Sequence, residues 1–347
     1  MGSIDGFNST AVDWRESLRR NQRRTVLVII TFILIYLAIG LLIDLYIYEG
    51  HYPMATVPQL FTALITLKIF PTATFVTGLI ALFSLYVTFT FHHKLMLLGT
   101  DYREITSSTA KTVQEKILYN VVEELKVAAT LKFMPKVYII DADYMNAFSS
   151  GFTEKSAMVA ITNGLLMKLD RSELEAVMAH EVSHIRHMDI RLTLTASVLA
   201  NILLLFVDIL FFSALFGGGR SRENGARNQL VIFILMLRYL LPLVTMLLML
   251  YLSRIREYMA DASSVELMRD NEPLARALLK IQDDHIQNRD EYASQYTRTP
   301  HESVRQAAYI YDPIKAGIEP RNSLSDLFST HPSLIKRLAA IGYKLKR

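Results

Sequence analysis

Within Ala176-Val-Met-Ala-His-Glu-Val-Ser-His-Ile-Arg-His187 stand His180, Glu181 and His184, in the spacing H-E-x-x-H. On a helix, residues four apart share a face with β-carbons roughly 5–6 Å apart, so two imidazoles spaced this way can grip one small cation. Two imidazole nitrogens suit zinc. Glu181 sits about 100° around the helix from His180, where its carboxylate can meet an activated water and take its proton. A catalytic zinc usually has three protein ligands and one open position. Downstream, Ser253-Arg-Ile-Arg-Glu-Tyr-Met-Ala-Asp261 offers two acids one helical turn apart, Glu257 and Asp261, and Glu257 is the candidate third ligand. The chain has no cysteine, so any zinc must be held by histidine and carboxylate.

These residues need a helix to place them. Asp170 and Glu173 form a capping-box pattern, Leu174, Val177, Met178, Ile185 and Met188 supply apolar positions, and neither Pro nor Gly interrupts 165–194. Ahead of the helix, the β-rich runs 136–140 and 156–162 predict a small sheet. Between them, 145–149 can form an edge strand, which would hold an extended peptide by main-chain hydrogen bonds or be a plain surface strand. The stretch 114–133 has helical periodicity through Ile117, Val121, Leu125 and Ala128.

The composition points to a membrane. Of the 347 residues 51% are hydrophobic and the mean hydropathy is +0.25, too apolar for an ordinary soluble protein. Residues 1–24 form a polar, cytoplasmic N-terminal arm ending in Arg15, Arg19, Arg20, Arg23 and Arg24, and 25–46 is an apolar run long enough to span a bilayer. That run is too long for a signal-peptide core, so it reads as a retained anchor. Residues 47–70 read as an external loop and 71–91 as a second transmembrane helix, after which 92–191 is the first part of a water-soluble domain.

Two further apolar runs follow, 192–216 with Asp208 and 230–252 with Arg238 and Pro242, as a third and fourth transmembrane helix. Asp208 and Arg238 are costly in lipid, and pairing between them is one remedy. The loop 217–229 carries Arg220, Arg222 and Arg227, which opposes placing it outside; a hairpin that enters without crossing is the alternative. Either arrangement returns 257 to the membrane face of 184. Both positions lie roughly 7–12 Å along a helix from an apolar boundary, so the site is expected at the cytoplasmic membrane surface.

Residues 253–347 complete the water-soluble domain. An amphipathic helix is expected around 273–281, then a charged, mobile stretch over 283–305 with His285 and His301 exposed to solvent. His331, followed by Pro332, and Arg337 on a short helix can offer two positive donors to a shared point. The net charge of +4 is mild and forms no groove-sized basic patch, which disfavours nucleic acid as a partner.

Taken together, Asn146-Ala-Phe148, His180-Glu-Val-Ser-His184, Arg256-Glu-Tyr-Met-Ala-Asp261 and Thr330-His-Pro-Ser333 with Arg337 resemble the HtpX-type membrane zinc metalloproteases, gluzincins related to the CAAX prenyl proteases. The resemblance implies an α+β membrane protein, mainly helical, with about four transmembrane helices and a gluzincin-like zinc protease domain holding a small β-sheet. It implies one zinc per chain on His180, His184 and Glu257, Glu181 as general base and acid, and Asp261 orienting a zinc-binding histidine. It further implies that Asn146, Ala147 and Phe148 hold the substrate backbone and that His331 and Arg337 stabilise the oxyanion.

The implied role is quality control of unfolded or damaged membrane polypeptides in the bacterial or archaeal cytoplasmic membrane. Its implied partners are those polypeptides, the lipid bilayer, and either further copies of itself or another quality-control protease. A site-specific processing protease for lipidated or signalling peptides is the rival enzyme. A scaffold with a structural zinc is the rival from another class, though such a site would not need Glu181.

Overall fold

The computed structural model describes residues 14–52, 54–97, 101–151, 153–216, 225–298, 309–311 and 331–343. Contacts divide the chain into a helical unit, Thr25–Thr90 with Thr193–Met249, and a mixed unit that includes Phe91–Leu192 and Leu250–Arg347.

The helical unit draws on α1 (Trp14–His51), α2 (Val57–Ile65), α3 (Thr72–Leu97), α7 (Asp189–Phe216) and α8 (Gly225–Met268). Among the described residues, three helices are long and apolar enough to cross a membrane: Ile33–His51, Thr195–Ser213 and Val231–Met268; Thr72–Ser84 is a shorter apolar segment. Their apolar residues point both ways. Ile39, Leu42, Leu203, Val207, Ile234 and Leu241 pack together, while Leu34, Leu82, Phe83, Leu205, Ile209 and Leu240 face outward, as helices in lipid do.

Charged groups inside this unit find partners at Asp44 and at the Asp208–Arg238 pair. The buried Asp44 carboxylate accepts from Ala73 N at 2.7 Å, Thr74 N at 2.9 Å and Thr74 Oγ1 at 2.7 Å, satisfying the orphan amides at the start of α3 with a negative charge. Gly40 permits that approach, since a β-carbon there would lie 2.8 Å from Thr74 Oγ1. Arg238 Nη2 stands 3.4 Å from Asp208 Oδ1, and its guanidinium lies 4.1 Å from the Phe211 ring centroid.

Two stretches differ from the expected loops. Within 47–70, α1 continues to His51 and α2 forms, started by Thr56, whose N–H donates to Gln59 Oε1 at 2.9 Å. Of 217–229, residues 217–224 lie outside the described residues and 225–229 are already helical, the first turn of α8, which runs through Pro242 to Met268.

The mixed unit is organised on a four-stranded sheet of β1 (Tyr102–Ile105), β2 (Lys136–Ile140), β3 (Ala147–Ser150) and β4 (Met158–Thr162), in the order β1-β2-β4-β3. β2 and β4 are parallel; β1 and β3 pair antiparallel at the two sides. The helices are α4 (Val113–Ala128), α5 (Asn163–Lys168), α6 (Arg171–Arg186), α9 (Glu272–Gln287), α10 (Arg289–Arg298) and α11 (Leu334–Ala340). α6 is packed between α4, α9 and β3. Val121 and Leu125 of α4, Val159 and Ile161 of β4, Val177 and Val182 of α6, and Leu278 of α9 share one core. Enclosure on several sides explains why α6 is apolar around much of its circumference.

The stretch 165–194, free of Pro and Gly, is divided. Asp170 caps α6 as its capping-box pattern predicts, accepting from Glu173 N at 2.9 Å while its own N–H donates to Glu173 Oε2 at 3.0 Å. It is divided again at Met188, whose φ of +53° is left-handed without the help of glycine. The stretch 283–305 also departs from expectation, since α9 extends to Gln287 and α10 follows. His285 is buried and packs on Tyr292 and Tyr311. Asp284 binds Lys168 Nζ and the Tyr292 hydroxyl, which ties this charged segment to α5 and carries His285 inward. His301 lies outside the described residues.

Asp44→Ala should lower stability by about 3 kcal/mol, because it leaves buried amides without their charged acceptor. Unfolding of the detergent-solubilised chain against denaturant measures this, and a loss below about 0.5 kcal/mol would contradict the cap.

Candidate metal centre

α6 brings His180, Glu181 and His184 into the core, all three buried. The two Nε2 atoms lie 3.2 Å apart. Glu257, from α8, closes the triangle: its Oε2 is 3.8 Å from His180 Nε2 and its Oε1 is 3.6 Å from His184 Nε2. One donor atom from each of the three falls within 4.8 Å of the others.

The opposite edges of the rings are held by carboxylates. His180 Nδ1 lies 3.0 Å from Asp261 Oδ1, and His184 Nδ1 lies 2.8 Å from Asp189 Oδ2. With both Nδ1–H groups donating to acids, the Nε2 lone pairs face each other, and a cation between them relieves their repulsion. Two imidazoles and a carboxylate form a donor set that suits zinc. The residues present therefore fit the ion.

Each carboxylate has a counter-charge. Arg337 of α11 donates to Asp261 through Nε at 2.9 Å and Nη2 at 2.6 Å, and Arg256 Nε stands 3.4 Å from Asp189 Oδ1. Burial alone would raise the Asp189 carboxyl, but Arg256 and the His184 hydrogen bond outweigh it and hold it below the usual range. Burial alone would lower His184, yet the Asp189 hydrogen bond and charge raise it. Burial opposes the charge on Arg337 too, and Asp261 reverses that, so its guanidinium stays charged.

Glu181 differs from all of these. Burial pushes its carboxyl up, against the pull of His180 and His184. Neither of its oxygens makes a well-formed hydrogen bond to a described residue; the Ser149 side chain of β3 favours its charged form more weakly than the histidines do. A buried carboxylate of this kind is poised to take a proton.

The other sequence candidates gather at the same place. Asn146, Ala147 and Phe148 lie at the sheet edge on β3 and its approach, all buried. His331 Nε2 is 4.0 Å from Glu257 Oε1, and Arg337 Nη1 is 3.6 Å from Glu257 Oε2. Sequence reasoning missed Asp189 and gave Arg256 no role of its own within the motif that carries Glu257 and Asp261. Asp189 is five residues beyond His184, off the helical spacing for a shared face, and reaches it through the turn at Met188.

Comparison with known proteins agrees with this geometry. Residues 112–344 match Peptidase family M48. The chain is 38% identical over 336 residues to a protein named Protease HtpX homolog from Helicobacter pylori (strain Shi470), covering 96% of this chain and 99% of that one. It is 35% identical over 334 residues to another of that name from Streptococcus uberis (strain ATCC BAA-854 / 0140J), covering 94% and 99%. The solved structure of S. mikatae Ste24p overlaps 94% of this chain and 67% of its own at 17% identity, with a TM-score of 0.49. By its match to the family and its full-length relatives, the chain belongs to peptidase family M48 and is a metalloprotease.

Proposed function

We propose that this chain is a zinc-dependent endopeptidase of the cytoplasmic membrane that cuts unfolded or damaged membrane polypeptides. The observation that carries the proposal is the convergence of His180, His184 and Glu257 beside the buried Glu181 carboxylate. Zinc bound by the three ligands supplies Lewis-acid activation of water and of the scissile carbonyl. Glu181 accepts the proton of the attacking water and returns it to the leaving amine. Asp261 and Asp189 fix the two imidazoles with Nε2 toward the ion, each held in turn by an arginine. The main chain of β3 and the Asn146 amide align an extended peptide, and Arg337 and His331 receive the negative charge that develops on the carbonyl oxygen.

The membrane assignment draws on the same helix that carries Glu257. Leu252 ends the apolar run of α8 and Glu257 follows on the unbroken helix, about 7 Å further along. The arginine-rich first turns of α1, ahead of its apolar run, favour a cytoplasmic N-terminus and, with an even number of crossings before the site, a cytoplasmic active site.

Three outcomes test the proposal. Glu181→Gln should keep one zinc per chain while kcat on an unfolded polypeptide falls by at least about 1,000-fold, on the scale of losing an essential proton-transfer group. Retained cleavage would remove Glu181 from its role. Many cuts in unrelated unfolded chains support quality control, whereas one cut position in a single substrate would favour a processing protease.

Asp189→Asn should weaken zinc binding about 10- to 100-fold in a competition with a metal-binding dye, and an unchanged affinity would make Asp189 a bystander. Zinc affinity should also fall as pH drops. His184 must be neutral to bind the ion, and its raised pKa starts the loss above the ordinary histidine value of about 6.5. A zinc affinity constant between pH 7.5 and 6 would contradict this.

A further inference from the structure

The sheet order leaves one side of β3 without a neighbouring strand, and a piece of chain remote in sequence lies against that side. Tyr309 pairs antiparallel with Phe148. The Ile310 N–H donates to the Ala147 carbonyl at 3.0 Å, Asn146 Nδ2 donates to the Tyr311 carbonyl at 3.0 Å, and Arg337 Nη1 donates to the Ile310 carbonyl at 2.7 Å. Both polar groups of one residue, and the carbonyl of the next, are thus satisfied by the edge strand and the arginine. That same Nη1 stands 3.6 Å from Glu257 Oε2, so the Ile310 carbonyl is one guanidinium nitrogen away from the metal-ligand cluster.

Side chains fasten the segment. The Tyr309 ring packs edge-on to Phe148 at 5.7 Å and to Tyr144 at 6.4 Å, with its hydroxyl 3.2 Å from that of Tyr144. Tyr311 packs on His285 at 4.8 Å between centroids. Tyr309 and Ile310 are each only 1% exposed.

We propose that Tyr309-Ile310-Tyr311 is an internal pseudosubstrate, seated on the peptide-binding edge and displaced by the polypeptide to be cut. The inference rests on the reading of β3, Asn146 and Arg337 as substrate-binding groups. An edge strand offers one set of main-chain donors and acceptors, so its own segment and an incoming peptide compete for the same bonds. The tethered segment acts at high effective concentration, and substrate affinity is reduced by the fraction of molecules whose edge is open. Release also uncovers the rings of Tyr144, Phe148 and His285, a lining that accepts aromatic and large apolar side chains. The substrate class that fits is an extended segment with such residues on both sides of the position Ile310 takes, a pattern that folded proteins bury and unfolded ones expose.

Ile310→Pro removes the N–H that bonds Ala147 and leaves every group of the metal cluster and the β3 edge in place. In the zinc-loaded full chain in detergent, cutting a quenched fluorescent peptide with aromatic residues, it should lower KM by about fivefold or more with kcat within about twofold. A KM unchanged in a variant that holds one zinc would overturn the proposal. Hydrogen exchange supplies a second test that does not depend on how well that variant folds. In the Glu181→Gln chain saturated with uncut unfolded polypeptide, deuterium uptake across 309–311 should rise. Bound polypeptide with that uptake unchanged would overturn the pseudosubstrate and leave the protease reading standing. Failure of the unsubstituted chain to cut any unfolded polypeptide would overturn the protease reading, and the pseudosubstrate with it.

Discussion

The fully buried Asp261 carboxylate accepts two hydrogen bonds from Arg337 and faces His180 Nδ1, while the third nitrogen of the same guanidinium holds the Ile310 carbonyl. Four stretches of chain therefore meet on one ion pair: α6 through His180, α8 through Asp261, α11 through Arg337, and the 309–311 segment. Burying either charge alone would cost several kcal/mol, and a pair this enclosed is retained only with its hydrogen bonds filled. Removing one partner leaves the other stranded and frees the ring of a candidate metal ligand. The pair contributes position more than net stability, fixing which nitrogen of His180 looks into the site.

The second histidine is held by a different solution to the same problem. His184 sits one turn after His180, where α8 offers it no acid as Asp261 serves His180, so its partner comes from the turn beyond α6. Met188 adopts a left-handed backbone at a cost of about 1–2 kcal/mol relative to the right-handed region, and Asp189 is carried back to His184 Nδ1 as a result. Arg256, one residue before Glu257, then neutralises Asp189. Strain in the turn is thus linked to the orientation of a candidate ligand, and one turn of α8 carries both the candidate ligand Glu257 and the arginine that neutralises the acid beside His184.

Much of this was legible in the residues themselves. His180, Glu181 and His184 are related by helical spacing alone, and the capping box of Asp170 and Glu173 marks where their helix starts. Glu257 and Asp261 are likewise separated by one turn, which made Glu257 the candidate third ligand, whereas the family resemblance and not the spacing implied that Asp261 orients a ring. Asp189 was illegible because its approach depends on a backbone turn that no glycine announces. His285 was misread because Asp283 and Asp284 make its surroundings look solvated, when Asp284 in fact turns toward Lys168 and Tyr292. The 309–311 segment is three residues without periodicity, paired to a strand more than 150 positions earlier, and non-local pairing of that kind leaves no local signature. Helix extents fared less well than helix existence: α2 arises inside an expected loop because Thr56 and Gln59 cap it and Pro58, in its first turn, suits a helix start.

The central claim is that His180, His184 and Glu257 hold one divalent ion, and X-ray absorption at the zinc edge tests it most directly. The unsubstituted chain, purified without chelators, should contain one zinc with a nitrogen and oxygen coordination shell carrying the multiple-scattering signature of two imidazoles. Glu257→Ala should lose the carboxylate oxygen and bind zinc more weakly. A shell with fewer than two imidazoles, or one unaltered by the loss of Glu257, would contradict the account.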